Sequence, residues 1–207
     1  MTVKLVILSA LVLAPLSLLS PSLASGMNDS DPVHERMTLK EVEAVLSHRL
    51  HASTRDKAPE LSRHLFALCE EYKFDPAFVL SLIDKESTFN PRAKSFVGAV
   101  GLMQLLPSTA KYIAERIDFD GYRRASDLRN PFVNLTLGVA YLSYLRGRFP
   151  ASQQFLAAYN MGPTAVGRMV HRQAFKLGAV KSYVLGIQNG RHSMKRAGIR
   201  MVSAQVQ

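Results

Sequence analysis

The sequence predicts an all-α domain of short helices. From Pro59 onward, segment after segment repeats apolar residues at helical spacing, and none shows the sustained apolar/polar alternation of a half-buried strand. Pro107, Pro131 and Pro163 each fall where a first-turn proline belongs, with Asn130 as a cap before the second. The periodicity predicts helices over 60–73, 76–86, 107–117, 131–148, 151–158, 163–175 and 179–189.

Ahead of this region lie three different kinds of segment. Residues 1–24 read as an export signal, with Lys4 before an apolar run from Leu5 to Leu19 and a small-x-small cleavage site at Ser22-Leu23-Ala24. The run is short for a bilayer and is interrupted by Ser9, Pro15 and Ser17, so a spanning helix is disfavoured. Cleavage after Ala24 and export are therefore expected. Residues 25–37 are polar and lack periodicity, which reads as a leader. Thr38-Leu39-Lys40-Glu41 has capping-box spacing and is followed by Val42, Val45, Leu46 and Leu50, predicting a helix over 39–51. Residues 52–59 read as a linker, 60–190 as the main domain and 191–207 as a basic tail.

Removing residues 1–24 leaves 183 residues, enough for one domain with a core. It removes one lysine and no acid, so the net charge falls from +10 to +9. The charge is uneven: after Asp127 there is no Asp or Glu, while eleven Lys or Arg follow. Such a surface predicts an anionic partner, either an acidic wall polymer or an anionic membrane surface. Nucleic acid is disfavoured by the export signal and by the absence of any nucleic-acid motif. Cys69 is the only cysteine, which excludes an intrachain disulfide, and its place beside Leu61, Leu65 and Leu68 predicts a buried thiol. The six histidines are scattered, so neither a metal site nor a cofactor is expected.

The stretch with most chemical promise is Asp84-Lys85-Glu86-Ser87-Thr88-Phe89-Asn90-Pro91. Asp75-Pro76 starts a helix, and Phe78, Val79, Leu82 and Ile83 form its apolar face. Glu86 falls near the middle of that face and at the helix end, which Asn90-Pro91 sets. A carboxyl on an apolar face beside a negative helix terminus resists ionisation, as a general acid must.

Four blocks then carry a family resemblance. Glu86-Ser87-x-Phe89-Asn90-Pro91 continues into Gly98-Ala99-x-Gly101-Leu102-Met103-Gln104 and Pro107-x-Thr109-Ala110. Asp127-Leu128-x-Asn130-Pro131-x-x-Asn134-Leu135 leads to Gly138-x-x-Tyr141-Leu142, Ala157-Ala158-Tyr159-Asn160-x-Gly162-Pro163 forms the third block, and Ser182-Tyr183-Val184 the last. In this order, from about Phe66 to Gln188, they resemble peptidoglycan lytic transglycosylases of the soluble-lytic-transglycosylase type. The resemblance implies a lysozyme-like fold with a groove for peptidoglycan glycan strands. It also implies that Glu86 is the sole acid/base, protonating the oxygen between N-acetylmuramic acid and N-acetylglucosamine. As carboxylate, Glu86 would then take the C6 hydroxyl proton, closing a 1,6-anhydro ring.

The carboxylate count bears on that mechanism. A two-carboxylate hydrolase needs a partner acid roughly 5 Å away, or about 6.5–9.5 Å away for an activated water. The nearest candidates in sequence are Asp84, Glu115, Asp118, Asp120 and Asp127; Asp84 points to another helix face and the last three read as turn or cap residues. An intramolecular hydroxyl makes a second carboxylate dispensable. The acid-poor half therefore favours cyclising transfer.

The resemblance also assigns substrate-binding roles. Ser87 and Ser95 are placed at the glycan, with Ser95 donating to a sugar amide or assisting at C6. Met103 resembles an apolar groove floor, though outside the motif it reads as core, and Gln104 an amide for hydroxyl or N-acetyl groups. Tyr159 and Asn160 begin a turn that ends at Gly162-Pro163, and Tyr183 matches a tyrosine that orients the glutamate. With no tryptophan, stacking on sugars falls to Tyr or Phe. A monomer acting on glycan strands is expected, with secretion or conjugation machinery as a candidate partner. Two other readings remain: a muramidase like goose-type lysozymes, and a wall-binding secretion-assembly protein with incidental cleavage.

Overall fold

The computed structural model describes residues 36–204. The export signal and most of the leader expected from the sequence lie outside the described residues. Thr38 starts helix α1 (Leu39–Arg49) with a capping box: its hydroxyl accepts from the Glu41 N–H at 3.3 Å, and the Glu41 carboxylate accepts from the Thr38 N–H at 2.6 Å. Val42, Val45, Leu46 and Leu50 are fully buried, so α1 is part of the core. The expected linker is also structured. Residues Ala52–Lys57 form a 3-10 turn that runs directly into α2 (Ala58–Glu71), with Pro59 in its first turn.

Asp75 caps α3 (Pro76–Ser87) by accepting from the Ala77 N–H at 3.0 Å. The helix stops earlier than the downstream proline requires. Thr88 and Phe89 both take left-handed backbone, φ +52° and +59°, a costly pair for a β-branched and an aromatic residue. Phe89 is fully buried with the Arg49 guanidinium 5.2 Å from its ring centre, and this packing holds the turn. The chain from Asn90 to Leu106 is a folded loop with isolated antiparallel pairs, Lys94 with Val100 and Val100 with Leu105.

After α4 (Pro107–Arg116) comes α5 (Pro131–Arg148), capped by Asn130 as the sequence predicts. Eleven of its 18 residues are buried, so it is the central helix, surrounded rather than lying on the surface. Then follow α6 (Ser152–Met161), α7 (Pro163–His171) and α8 (Lys181–Ala204). The expectation of an all-α domain holds. Among the described residues no helix is long and apolar enough to cross a membrane. Cys69 is buried as expected, and burial pushes its thiol up to about 12.

The expected basic tail is a helix. Residues 191–204 continue α8 across both α3 and α1, with Met194 and Lys195 buried and Arg191 paired with Asp75. On the α3 side, Ser81 donates to the Ile187 carbonyl at 2.9 Å. Asp75 thus serves two elements, capping one helix and pairing with another. Asp75→Ala is expected to lower the unfolding free energy by about 1–2 kcal/mol, measured by urea denaturation. Arg191→Ala removes only the half-exposed ion pair and is expected to cost less than about 1 kcal/mol.

Candidate active site

Glu86 sits in the last turn of α3, half-buried, where α8 crosses. The Tyr183 hydroxyl, from the first turn of α8, donates to Glu86 Oε1 at 2.5 Å. Among the described residues Oε2 has no protein partner, and no partnerless side-chain oxygen is buried, so Oε2 faces solvent. Burial pushes the Glu86 carboxyl up to about 6, opposed by the Tyr183 hydrogen bond and the Lys85 charge.

The other candidate acids are engaged elsewhere. Asp84 pairs with Arg49, and Glu115 with Lys111 at 3.9 Å. Asp127 accepts from the N–H groups of Arg123 and Arg124 at 2.8 and 2.9 Å; these bonds hold it below the usual carboxylate range, as a cap. Asp118 and Asp120 line a hollow beside α4 together with Lys111 and Arg123. Among the described residues no group of three or more His, Cys, Asp or Glu is arranged to hold a metal ion.

Tyr159 is the second phenol at the site. Its hydroxyl donates to the Met103 carbonyl at 2.6 Å, and its ring centre lies 5.3 Å from that of Tyr141. Burial first, and the Glu86 charge second, raise both Tyr159 and Tyr183 well above the ordinary phenol range. Both therefore stay protonated, which keeps Tyr183 a donor. Tyr159 and Asn160 do not begin a turn; they lie in the last turn of α6, and Gly162 caps it. Asn160 is exposed there.

The loop opposite Glu86 is fastened by a residue to which the sequence reading gave no role. Asn134, fully buried on α5, accepts from the Met103 N–H at 2.7 Å and donates to the carbonyls of Val100 at 2.9 Å and Leu128 at 3.0 Å. Its signal in the sequence is an amide inside an apolar helical run. Gly101 must lack a side chain here: its φ is +87°, and a Cβ would come within 2.3 Å of the Asn134 amide nitrogen. Gly138 likewise leaves room for Met103, whose sulfur would lie 2.3 Å from an added Cβ.

This fastening revises two expected ligands. Met103 is fully buried under α5, so it is core and offers the site only its carbonyl. Ser87 is also buried; its hydroxyl donates to the Leu102 carbonyl at 2.8 Å and thus clasps the loop to α3. Gln104 and Ser95 remain accessible. Both Gln104 amide hydrogens are spent on the carbonyls of Ala93 and Gly101, at 3.1 and 2.9 Å, which leaves Oε1 as an acceptor. Ser95 Oγ accepts from the Ala99 N–H at 3.0 Å, so its own hydrogen can still be donated.

A half-buried acid at a helix end, steadied from a crossing helix inside an all-α domain, defines the lysozyme-like class. Residues 65–181 match the family model described as Transglycosylase SLT domain, and the chain belongs to that family. It is 32% identical over 141 residues to the soluble lytic murein transglycosylase of Escherichia coli (strain K12), covering 67% of this chain and 22% of that protein. It is 38% identical over 109 residues to membrane-bound lytic murein transglycosylase C of Histophilus somni (strain 2336), covering 48% of this chain and 30% of that one. Among solved structures it is similar to lytic transglycosylase Slt of Pseudomonas aeruginosa, an inactive glutamate-to-glutamine mutant. That likeness has 25% identity and a TM-score of 0.50, over 69% of this chain and 24% of the other. The chain thus spans less than a third of the length of these relatives.

Two measurements test the site's construction. Asn134→Ala strands the Met103 N–H and the Val100 and Leu128 carbonyls in the interior, and is expected to cost about 3 kcal/mol or more by chemical denaturation. The second concerns Glu86, whose ordinary value of 4.5 rises to about 6 in the fold. The folded state therefore holds the proton more tightly, and unfolding free energy falls as pH rises through that window, by up to about 2 kcal/mol. Glu86→Gln keeps an acceptor for Tyr183 and abolishes the fall. It is expected to stabilise the protein above pH 6 and to give no gain below pH 4.5, read as the difference in melting temperature across pH.

Proposed function

We propose that the protein cleaves the β-1,4 bond between N-acetylmuramic acid and N-acetylglucosamine in peptidoglycan without adding water. The observation that carries this reading is Glu86 itself: one oxygen held by Tyr183, the other open to solvent, and a carboxyl pushed up to about 6 by burial. Near neutrality a useful fraction of the enzyme then carries the proton the reaction needs.

Glu86 gives its proton to the glycosidic oxygen as the bond to the muramyl C1 breaks, and the bonding electrons leave with that oxygen. The resulting carboxylate takes the proton from the muramyl C6 hydroxyl as O6 bonds to C1. The product is a 1,6-anhydro end, and Glu86 is again protonated. The hydroxyl is part of the substrate, so its effective concentration is high and no second carboxylate is required. Among the described residues Asp84 is taken by Arg49, Glu115 by Lys111 and Asp127 by the N–H groups of Arg123 and Arg124, which favours this route over a two-acid hydrolysis. Gln104, Ser95, Tyr159 and Asn160 would meet the sugars, with Gln104 accepting and Ser95 donating. Export to the periplasm or wall, where such strands lie, belongs to the same reading.

Mass spectrometry of digested glycan decides between the routes: anhydro products are one water lighter than hydrated ones, and hydrated products alone would mean hydrolysis. In the same assay kcat/KM is expected to fall as pH rises above about 6, following loss of the acid form. Glu86→Gln is expected to cost on the order of 100-fold or more.

A further inference from the structure

Outside the site just described, one hollow is lined by three cations and no acid. It has a volume of about 710 Å³, with Lys57, Arg92 and Arg129 on its walls together with the hydroxyl residues Ser53 and Thr54. Pro91, Asn130 and Pro131 complete its lining. Asp56, next to Lys57 in the chain, is not part of the lining, and the three cations are exposed without an ion-pair partner among the described residues. Water can screen three neighbouring positive charges, but an anionic ligand would neutralise them directly.

The position of the hollow says which anion. Arg92 and Pro91 belong to the loop that leaves α3, and Pro91 follows Glu86 by five residues, so it lies within about 18 Å of Glu86 even if the chain were fully extended. Lys57, Ser53 and Thr54 come from the 3-10 turn, which is fixed to the same helix end: the His51 N–H donates to the Phe89 carbonyl at 3.4 Å, and Arg49 pairs with Asp84. An extended peptide of four to five residues reaches on the order of 15 Å. That reach is of the same order as the upper bound on the separation, so the stem of a sugar bound at Glu86 is the anion best matched to these cations.

Resting on the function proposed above, we infer that this hollow binds the carboxylates of the wall's stem peptides and makes the protein prefer stem-bearing over bare glycan. One wall of the hollow comes from residues 53–57, which lie outside the 65–181 family match. The hollow therefore joins the N-terminal segment, through Lys57, to the family domain, through Arg92 and Arg129.

The test compares the parent protein with the triple variant Lys57→Ala/Arg92→Ala/Arg129→Ala on two substrates, glycan with intact stems and glycan stripped of stems by an amidase. All three residues are exposed, so the variant is expected to fold, as checked by circular dichroism. On stem-bearing strands kcat/KM is expected to fall about tenfold at low salt, with roughly two- to fourfold for each single change. The loss is expected to shrink as salt rises. On stripped strands it is expected to stay within about twofold. Equal loss on both substrates, or no loss on either, overturns the inference while leaving the cleavage reaction standing. If the parent cleaves neither substrate, the functional reading fails, and titration with free stem peptide decides the hollow alone: binding that the triple variant loses supports it, and no binding overturns it.

Discussion

The arrangement depends on one hydrogen bond across two helices, from Tyr183 on α8 to Glu86 on α3. A carboxyl at the end of an apolar helix face is pulled two ways. Burial favours its neutral form, while a donor favours its charged form. With both present the group settles at about 6, neither locked as an acid nor fully ionised. The bond also fixes which oxygen faces outward. Holding it requires α8 to lie close against α3, which Arg191, Ser81 and the buried Met194 secure beyond the site.

The second half of the site is a loop without regular structure, and its backbone polar groups need partners. Asn134, in the first turn of the central helix, supplies two of them, to Met103 and Val100, and bonds Leu128 of the preceding 3-10 turn as well. Ser87 and Tyr159 add one each, to the carbonyls of Leu102 and Met103. Ser87 and Met103, which look like sugar ligands in the motif, thus serve the loop instead. Two of the groups left for a substrate, Gln104 Oε1 and the Ser95 hydroxyl, are held in place by neighbouring hydrogen bonds. Backbone loops that carry function are ordinarily positioned by a rigid scaffold, and here α5 is that scaffold.

Much of this was legible in the sequence. The helix over 131–148 was readable in full because Asn130-Pro131 marks its start and its apolar residues run all round. Glu86 was readable because its place on an apolar face follows from helical spacing alone. A motif names residues without giving their direction, so the inward turn of Met103 and Ser87 could not be read from it. The continuation of α8 was missed because its packing positions are Gly190, Gly198 and a buried Lys195, which break the apolar stripe. The end of α6 was misplaced because Gly162-Pro163 looks like a turn whose start the sequence does not mark. The left-handed pair Thr88-Phe89 had no local signal at all, since only the burial of Phe89 sustains it.

The crossing of α8 over both α3 and α1 also joins distant parts of the chain. Glu86 and its hydroxyl partner are 97 positions apart, and α1 and α8 lie at opposite ends of the described chain. Contacts so distant in sequence carry a larger loop-closure cost than local ones. A chain in which α8 is undocked has Glu86 without its tyrosine and α1 without its cover. Completeness of the fold is thereby built into readiness of the acid: the group becomes poised only when α8 has docked.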